Sequence, residues 1–172
     1  WNTHLNLALM LPGFSLLANI FENSKAPTLI PKFLPNSAIG SFVLLIVIFV
    51  LSTFLDNIAA AMIGGSIAMA LYKGKVHIGY VAAICAASNA GGAGSVVGDT
   101  TTTLIWLSGK DPLLLADAFL PAFIAICIVG FFASRQQQKY CQISIDPNDN
   151  TAIDKAKLLV VAMILVGAIT FN

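Results

Sequence analysis

Charged residues are scarce in this sequence. Only 10% of its 172 residues are charged and 58% are hydrophobic, with a mean hydropathy of +0.86, whereas soluble domains carry about 25% charged residues. This scarcity excludes most soluble folds. The nine Lys and Arg residues never gather into a basic stripe, so nothing in the composition favours a nucleic-acid partner.

Catalytic and cofactor motifs are also missing. The three cysteines, Cys85, Cys127 and Cys141, lack metal-ligand spacing, and we expect them to act as small hydrophobic residues. Ser, His and Asp occur without catalytic spacing, and the glycines within residues 92–98 do not form a dinucleotide fingerprint. We therefore expect no enzymatic activity and no bound cofactor.

What the sequence does contain is a series of apolar blocks near membrane-spanning length, separated by short polar stretches. They predict an all-α integral membrane protein, with the lipid bilayer as a partner and a bacterial inner membrane as its location. Residues 1–133 would form a transport domain, and both ends look cut from a longer protein. The predicted segments are a span at 3–21, a connector at 22–36, a helical hairpin at 37–72, a broken helix at 76–107, a span at 113–133, a polar loop at 134–156 and a truncated helix at 157–172.

The first interruption of an apolar block is Asp56-Asn57. The apolar piece that follows it, residues 58–72, has only about 15 residues and would make roughly 22 Å of helix. That is short for the roughly 30 Å hydrocarbon core of a bilayer. A re-entrant hairpin with Asp56-Asn57 at its tip therefore fits better than two full spans.

The second interruption runs from Ser88 to Thr103. Two short apolar pieces, 76–87 and 100–107, flank a stretch with four glycines, which let the backbone leave helical geometry. Asp99 or Thr100 can cap the second piece. We predict one discontinuous membrane helix.

The basic residues give the predicted orientation, because short loops rich in Lys and Arg stay in the cytoplasm. Of the nine basic residues, the predicted segments place Lys110 alone on one face of the membrane and the other eight on the opposite face. The loops on that opposite face, at 22–36, 73–77 and 134–157, would then be cytoplasmic. They hold the other eight basic residues, Lys25, Lys32, Lys73, Lys75, Arg135, Lys139, Lys155 and Lys157.

Broken helices survive at membrane depth only where protein or a wet cavity satisfies the backbone. A carboxylate there costs about 2.5 to 3.5 kcal/mol on the insertion scale, which makes Asp56 and Asp99 candidates for ion binding or proton relay. Oxygen donors of this kind suit Na⁺ or H⁺. The candidate binding residues are Asp56, Asn57, Ser88, Asn89, Gly91, Gly92, Ser95, Asp99, Thr100 and Thr101, with Asp56, Asn57, Asn89 and Asp99 as Na⁺ ligands.

Simpler interpretations stay open. Asp56-Asn57 could be an interfacial turn, Asp99 an ordinary N-cap, and the glycines a close-packing surface, with Gly94 and Gly98 at small-xxx-small spacing. A half-helix N-terminus could equally hold a carboxylate substrate. Two such features between unusually short hydrophobic pieces nevertheless favour a transport site.

Both stretches resemble the ion transporter superfamily, which includes citrate carriers, arsenite permeases and NhaD-type sodium/proton antiporters. FLDNIAAA (54–61) resembles the tip of the family's re-entrant hairpin, and SNAGGAGSVVGDTTT (88–102) resembles its broken helix in the NhaD-type form. The likeness covers about residues 40–133 and implies two inverted repeats in a homodimer. Only the first repeat is present, and we expect its counterpart beyond Asn172. Unlike close NhaD-type relatives, the chain has no Pro between Ser95 and Gly98.

The leading functional hypothesis is Na⁺/H⁺ antiport by alternating access, because protonation and cation binding would compete for Asp56 and Asp99. The alternative on the same scaffold is a sodium- or proton-coupled symporter of citrate or dicarboxylates. An arsenite permease ranks third, since nothing in the chain is suited to a soft oxyacid. An alternative of another class is a non-transporting structural subunit, in which both interruptions are turns.

Overall fold

The computed structural model describes residues 34–143, together with positions 12, 16, 19, 20, 23, 24, 156, 159, 160 and 163. Apart from those isolated positions, the predicted span 3–21, most of the connector 22–36, the loop beyond residue 143 and the helix 157–172 lie outside the described residues.

Residues 34–143 form helices joined by turns, with no strand among them, in agreement with the predicted all-α class. The helices are α1 (Ala38–Leu51), α2 (Asn57–Leu71), α3 (Ile78–Gly92), α4 (Thr100–Leu107), α5 (Pro112–Ala116) and α6 (Phe119–Tyr140). Helices α1 and α2, with the turn between them, fall within the range predicted for the hairpin.

The core lies between α1, α3 and α6, which pack on one another, while α2 packs on α1 and α3. Leu44, Leu45 and Ile48 of α1 are completely buried in this core. Glycines bring the helices close together: Gly64 of α2 lies against Ile48, and a Cβ on Gly130 of α6 would lie 3.3 Å from Leu45. The apolar residues of α1 therefore pack in several directions, which explains why its sequence is almost continuously hydrophobic.

Polar contacts hold together the end of this bundle at which α1 begins. The buried Tyr72 hydroxyl donates to Ser41 Oγ at 2.7 Å, and the Tyr80 hydroxyl donates to the Ser41 carbonyl at 2.6 Å. Helix α2 therefore ends, and α3 begins, beside the start of α1. It follows that the α1–α2 turn and the C-terminus of α3 lie together at the far end.

The predicted extent of the second interruption is wrong. Helix α3 continues through Ser88 and Asn89 to Gly92, so the interruption is limited to residues 93–99. Gly91 and Gly92 are helical, and their missing side chains make room for neighbouring backbone: a Cβ on Gly91 would collide with the Phe49 carbonyl. Both glycines therefore allow close packing, and their predicted role in binding stays a prediction.

The predicted span 113–133 lies within one helical stretch, Leu113–Tyr140, but its end was predicted too early. A local irregularity at Asp117-Ala118 divides this stretch into α5 and α6, because Pro121 has no N–H to donate to the Asp117 carbonyl four residues earlier. At the other end α6 continues past Arg135 to Tyr140, through residues predicted as loop. Its last turn is fixed by Gln137, whose side chain is completely buried.

One helical stretch of the described residues, Leu113–Tyr140, is long and apolar enough to cross a membrane. Only 11% of its most apolar window is buried within the protein. Helices α1 and α2 are apolar but shorter than a span.

Candidate functional site

The two interruptions lie against each other and form what we call the junction, defined as residues 52–57 and 88–99. The backbone N–H of Asn57 donates to the Gly98 carbonyl at 3.0 Å. A Cβ on Gly98 would collide with the Ser52 carbonyl. The absence of a side chain at Gly98 therefore allows the α1–α2 turn to approach the backbone of residues 93–99.

Side-chain amides extend this contact. Asn57 Nδ2 donates to Asn89 Oδ1 at 3.1 Å, and Asn89 Nδ2 donates to the Cys85 carbonyl at 2.8 Å. This second bond fixes the orientation of the Asn89 amide so that its oxygen faces α2. Two of the predicted Na⁺ ligands are thereby brought into direct contact.

Hydroxyl groups join the same two segments. Ser95 Oγ donates to the Thr53 carbonyl at 2.6 Å and accepts from the N–H groups of Val97 and Gly98 at 3.2 and 3.1 Å. Ser52 Oγ donates to the Ser88 carbonyl. Ser95 therefore binds one segment to the other and also shapes the non-helical backbone after α3.

Two aspartates cap the helices that leave the junction. Asp56 Oδ1 accepts from the Ile58 N–H at 3.4 Å at the start of α2, and Asp99 Oδ1 accepts from the Thr101 N–H at 3.3 Å at the start of α4. Each carboxylate has a second oxygen with no hydrogen-bond partner among residues 34–143. Both half-buried aspartates are adjacent in sequence to the Asn57–Gly98 hydrogen bond, so two helix N-termini converge there.

Thr102 and Thr103 hold the broken backbone of the junction through their side-chain hydroxyls. Thr102 Oγ1 donates to the carbonyls of Ser95 and Asp99 at 2.5 and 2.8 Å. Thr103 Oγ1 donates to those of Val96 and Asp99 at 2.5 and 2.9 Å. The carbonyls of Ser95 and Val96, which lie in the interruption, are satisfied in this way, whereas the Asp99 carbonyl also accepts from the Thr103 N–H at 3.0 Å.

The structure thus brings most of the predicted residues to one place. Asp56, Asn57, Ser88, Asn89, Gly91, Gly92, Ser95 and Asp99 belong to the junction, while Thr100 is half-buried beside it and Thr101 is exposed. No group of three His, Cys, Asp or Glu residues among the described positions could hold a metal ion. A cation at the junction would therefore need amide, hydroxyl and carbonyl oxygens besides the two carboxylates.

Ser52, Thr53 and the Gly98 carbonyl were not predicted as part of the site. The available signal was the small polar pair Ser52-Thr53, which ends an unbroken apolar run only four residues before Asp56. Its importance depends on contacts with residues about forty positions later in the chain.

An open groove of about 660 Å³ borders the junction where α5 meets α6. Phe119, one of its lining residues, lies 2.7 Å from where a Cβ of Gly94 would stand, and packs edge-on against Phe49 with ring centroids 6.4 Å apart. Asp117 is the charged residue in this lining. The junction therefore has a mainly aromatic flank on this side.

Comparison with known proteins identifies the family. A sequence model of the citrate transporter family matches residues 2–171. The chain belongs to the citrate transporter family. It is also 31% identical over 121 residues to a protein of Arabidopsis thaliana named sodium/proton antiporter 1, an alignment that covers 67% of this chain and 19% of that protein. The chain thus spans about a fifth of the length of this relative. No solved structure matches the chain.

Membership of the citrate transporter family confirms the resemblance predicted from residues 54–61 and 88–102. It also establishes the chain as part of an integral membrane protein, in keeping with the exposed apolar surface of Leu113–Tyr140. The name of the family and the name of the relative point to different transported ions.

Proposed function

We propose that this protein exchanges Na⁺ for H⁺ by alternating access and that the junction forms half of its ion site. The observation that carries the proposal is the Asn57–Gly98 backbone hydrogen bond, which joins two helix starts capped by Asp56 and Asp99. The curated relative named as a sodium/proton antiporter supports the same reaction.

The chemistry of exchange follows from the donors at the junction. Na⁺ is a hard cation and prefers carboxylate, amide and carbonyl oxygens. Asp56, Asp99 and the amide of Asn57 offer such oxygens, and protons compete with Na⁺ for the same carboxylates. A site that holds either the cation or the proton, alternately open to each side of the membrane, performs antiport.

The length of α1 supports a re-entrant hairpin. Its 14 residues extend about 21 Å, less than the roughly 30 Å of the hydrocarbon core. If Ser37 lies at one membrane surface, the α1–α2 turn lies inside the membrane. Helices α3 and α4 then form a discontinuous span, interrupted at the same depth.

The basic residues support the predicted orientation. The Gln137 side chain, near the end of α6, donates a hydrogen bond to the Lys75 carbonyl. Lys73 and Lys75 therefore lie at the same end of the bundle as Arg135 and Lys139. We propose that this end faces the cytoplasm of a bacterium. We also propose that the full-length protein is a homodimer, as the family resemblance implies.

Citrate or dicarboxylate symport is the second candidate, favoured by the convergence of two helix N-termini, which attract anions. Two observations weigh against it. Asp56 and Asp99 would repel a carboxylate substrate. The described lysines nearest in sequence are also too far away to bind such a substrate. Lys73 and Lys75 lie beyond the far end of α2, about 22 Å from Asp56, and Lys110 lies past α4, about 12 Å from Asp99.

The test is proton movement in everted membrane vesicles containing the protein, followed with a pH-sensitive dye after addition of Na⁺. Asp56→Asn and Asp99→Asn should each lower Na⁺-dependent proton movement more than tenfold. Asparagine still caps a helix, so both variants should fold. The matched control is Asp111→Asn, since exposed Asp111 caps α5 in the same way, with Oδ1 2.9 Å from the Leu113 N–H.

Antiport is contradicted if the wild-type protein moves no protons on addition of Na⁺, or if Asp56→Asn and Asp99→Asn behave like Asp111→Asn. Na⁺-dependent uptake of radiolabelled citrate would establish the symporter instead. If neither activity is found and cysteines placed at Asn89 and Ser95 never react with water-soluble reagents, the structural-subunit hypothesis is supported.

A further inference from the structure

A second site lies at the opposite end of the bundle from the junction. A cavity of about 210 Å³ between the start of α1 and the last turns of α6 is lined by Ala38, Ile39, Phe42, Phe131, Ser134 and Arg135. Ser134 is only 1% exposed, and its Oγ has no hydrogen-bond partner in the part of the chain that the structure describes. A buried hydroxyl without a partner is unfavourable, and a ligand with an acceptor oxygen would satisfy it.

A cation lies at the mouth of the same cavity. The exposed Arg135 guanidinium sits 4.2 Å from the centroid of the Phe131 ring, one helical turn away. Within residues 34–143 no carboxylate pairs with it: Asp56, Asp99 and Asp111 cap the starts of α2, α4 and α5, and Asp117 precedes α6, whereas Arg135 lies near the end of α6. Its planar donors are therefore free to bind an anion, and guanidinium matches the geometry of phosphate oxygens.

The start of α1 forms the remaining wall. Ser37 caps this 14-residue helix through Oγ, 3.2 Å from the Ile39 N–H. Ala38 and Ile39 of the first turn line the cavity, so the positive end of the helix lies beside it and favours negative charge nearby. A hydroxyl donor, a guanidinium and a helix N-terminus thus surround one small space.

We propose that this cavity binds the phosphate of an anionic phospholipid. At this level the apolar sequence of α1 begins and that of α6 ends, so we place the cavity at the membrane surface. A volume of about 210 Å³ equals that of roughly seven water molecules at about 30 Å³ each, which accommodates a phosphate but not acyl chains. Ile39, Ile128 and Phe132 beside it are 65%, 57% and 67% exposed and offer an apolar surface for those chains.

The test uses the full-length protein purified in neutral detergent, titrated with dioctanoyl phosphatidylglycerol and followed by native mass spectrometry. Dioctanoyl phosphatidylcholine should bind at least fivefold more weakly, because its ammonium offsets the phosphate charge. Arg135→Gln should weaken phosphatidylglycerol binding about tenfold, through loss of a charge-assisted contact. Ser134→Ala should weaken it about threefold, through loss of one hydrogen bond.

Two controls separate binding from folding. Lys139→Gln removes an exposed charge from the same end of α6 and should leave the affinity unchanged. Without lipid, Ser134→Ala should unfold at the same temperature as the wild type or higher, because the hydroxyl that it removes has no partner.

The proposal is overturned if the two lipids bind equally well, or if Arg135→Gln affects binding no more than Lys139→Gln. It is also overturned as a lipid site if inorganic phosphate displaces phosphatidylglycerol and binds with the same dependence on Ser134 and Arg135. That result would identify the cavity as a site for free phosphate.

Discussion

The backbone amide of Asn57 and the carbonyl of Gly98, 3.0 Å apart, form the hydrogen bond that joins the two helix interruptions of this protein. The bond requires the two backbones to approach closely. On one side the approach depends on Gly98, because a Cβ there would collide with the Ser52 carbonyl. The integrity of the junction therefore depends on a position that carries no functional group.

Gly98→Ala tests this close approach. The added methyl group should destabilise the protein by about 1–3 kcal/mol, the typical cost of overpacking, and should lower Na⁺-dependent transport. The matched control is Gly65→Ala in α2, where a Cβ would have no neighbour within 4 Å. That change should stabilise the helix by about 0.5–1 kcal/mol. Thermal unfolding in detergent measures both, and equal midpoints for the two variants would contradict the packing role of Gly98.

The amide pair Asn57–Asn89 can be measured by a double-mutant cycle. Asn57→Ala and Asn89→Ala together should cost less than the sum of the single changes, with a coupling of about 0.5–1.5 kcal/mol for one hydrogen bond. Asn57→Ala combined with Ser108→Ala should be additive within about 0.5 kcal/mol, since exposed Ser108 bonds within its own turn. Additivity of the asparagine pair as well would show that their contact contributes nothing to stability.

Ser95→Ala should loosen the non-helical backbone after α3. The substitution leaves the N–H groups of Val97 and Gly98 without their acceptor, which should cost about 1–3 kcal/mol. Hydrogen exchange of these two amides should become faster than in the wild type. Ser108→Ala serves as the surface control and should stay within about 0.5 kcal/mol of the wild type. Unchanged exchange at Val97 and Gly98 would argue against this role of Ser95.

The adjacent residues Gln137 and Gln138 of α6 should differ in their contribution to stability. Gln137 accepts from the His77 N–H at 2.7 Å and donates to the Lys75 carbonyl at 3.1 Å, so it fixes the α2–α3 connection. Gln137→Leu should destabilise by about 1–3 kcal/mol, because it leaves these part-buried backbone groups without their side-chain partner. Gln138→Leu should cost much less, since Gln138 Oε1 has no partner among the described residues. Denaturant unfolding that ranks the two variants in the opposite order would contradict this assignment.

The sequence predicts the positions of the helix starts well because capping is local. Asp56 and Asp99 each lie two residues before the amide that they cap, and the short apolar pieces beside them are visible in the sequence. The end of α3 was not predictable in the same way. A glycine either breaks a helix or lets another backbone approach it, and the choice at Gly91 depends on Phe49, far away in the chain.

The roles of Ser52 and Gln137 were missed for a related reason. Ser52 acts on the Ser88 carbonyl, 36 residues later, and Gln137 acts on His77, 60 residues earlier. Contacts of this range leave no periodic pattern. Polar residues 134–139 were predicted as a loop, but Arg, Gln and Lys favour helix, and the docking of Gln137 on the α2–α3 connection holds this extension of α6 in place.

Helix α3 is held at both of its ends. Its first turn is connected to α6 through His77 and Gln137, and its last turn is connected to the α1–α2 turn through Ser88 and Asn89. Sliding α3 along either neighbour would break hydrogen bonds at both ends. For the alternating access that we propose, these bonds favour a movement that carries α1, α2, α3 and α6 as one rigid body, with the displacement at surfaces outside this bundle.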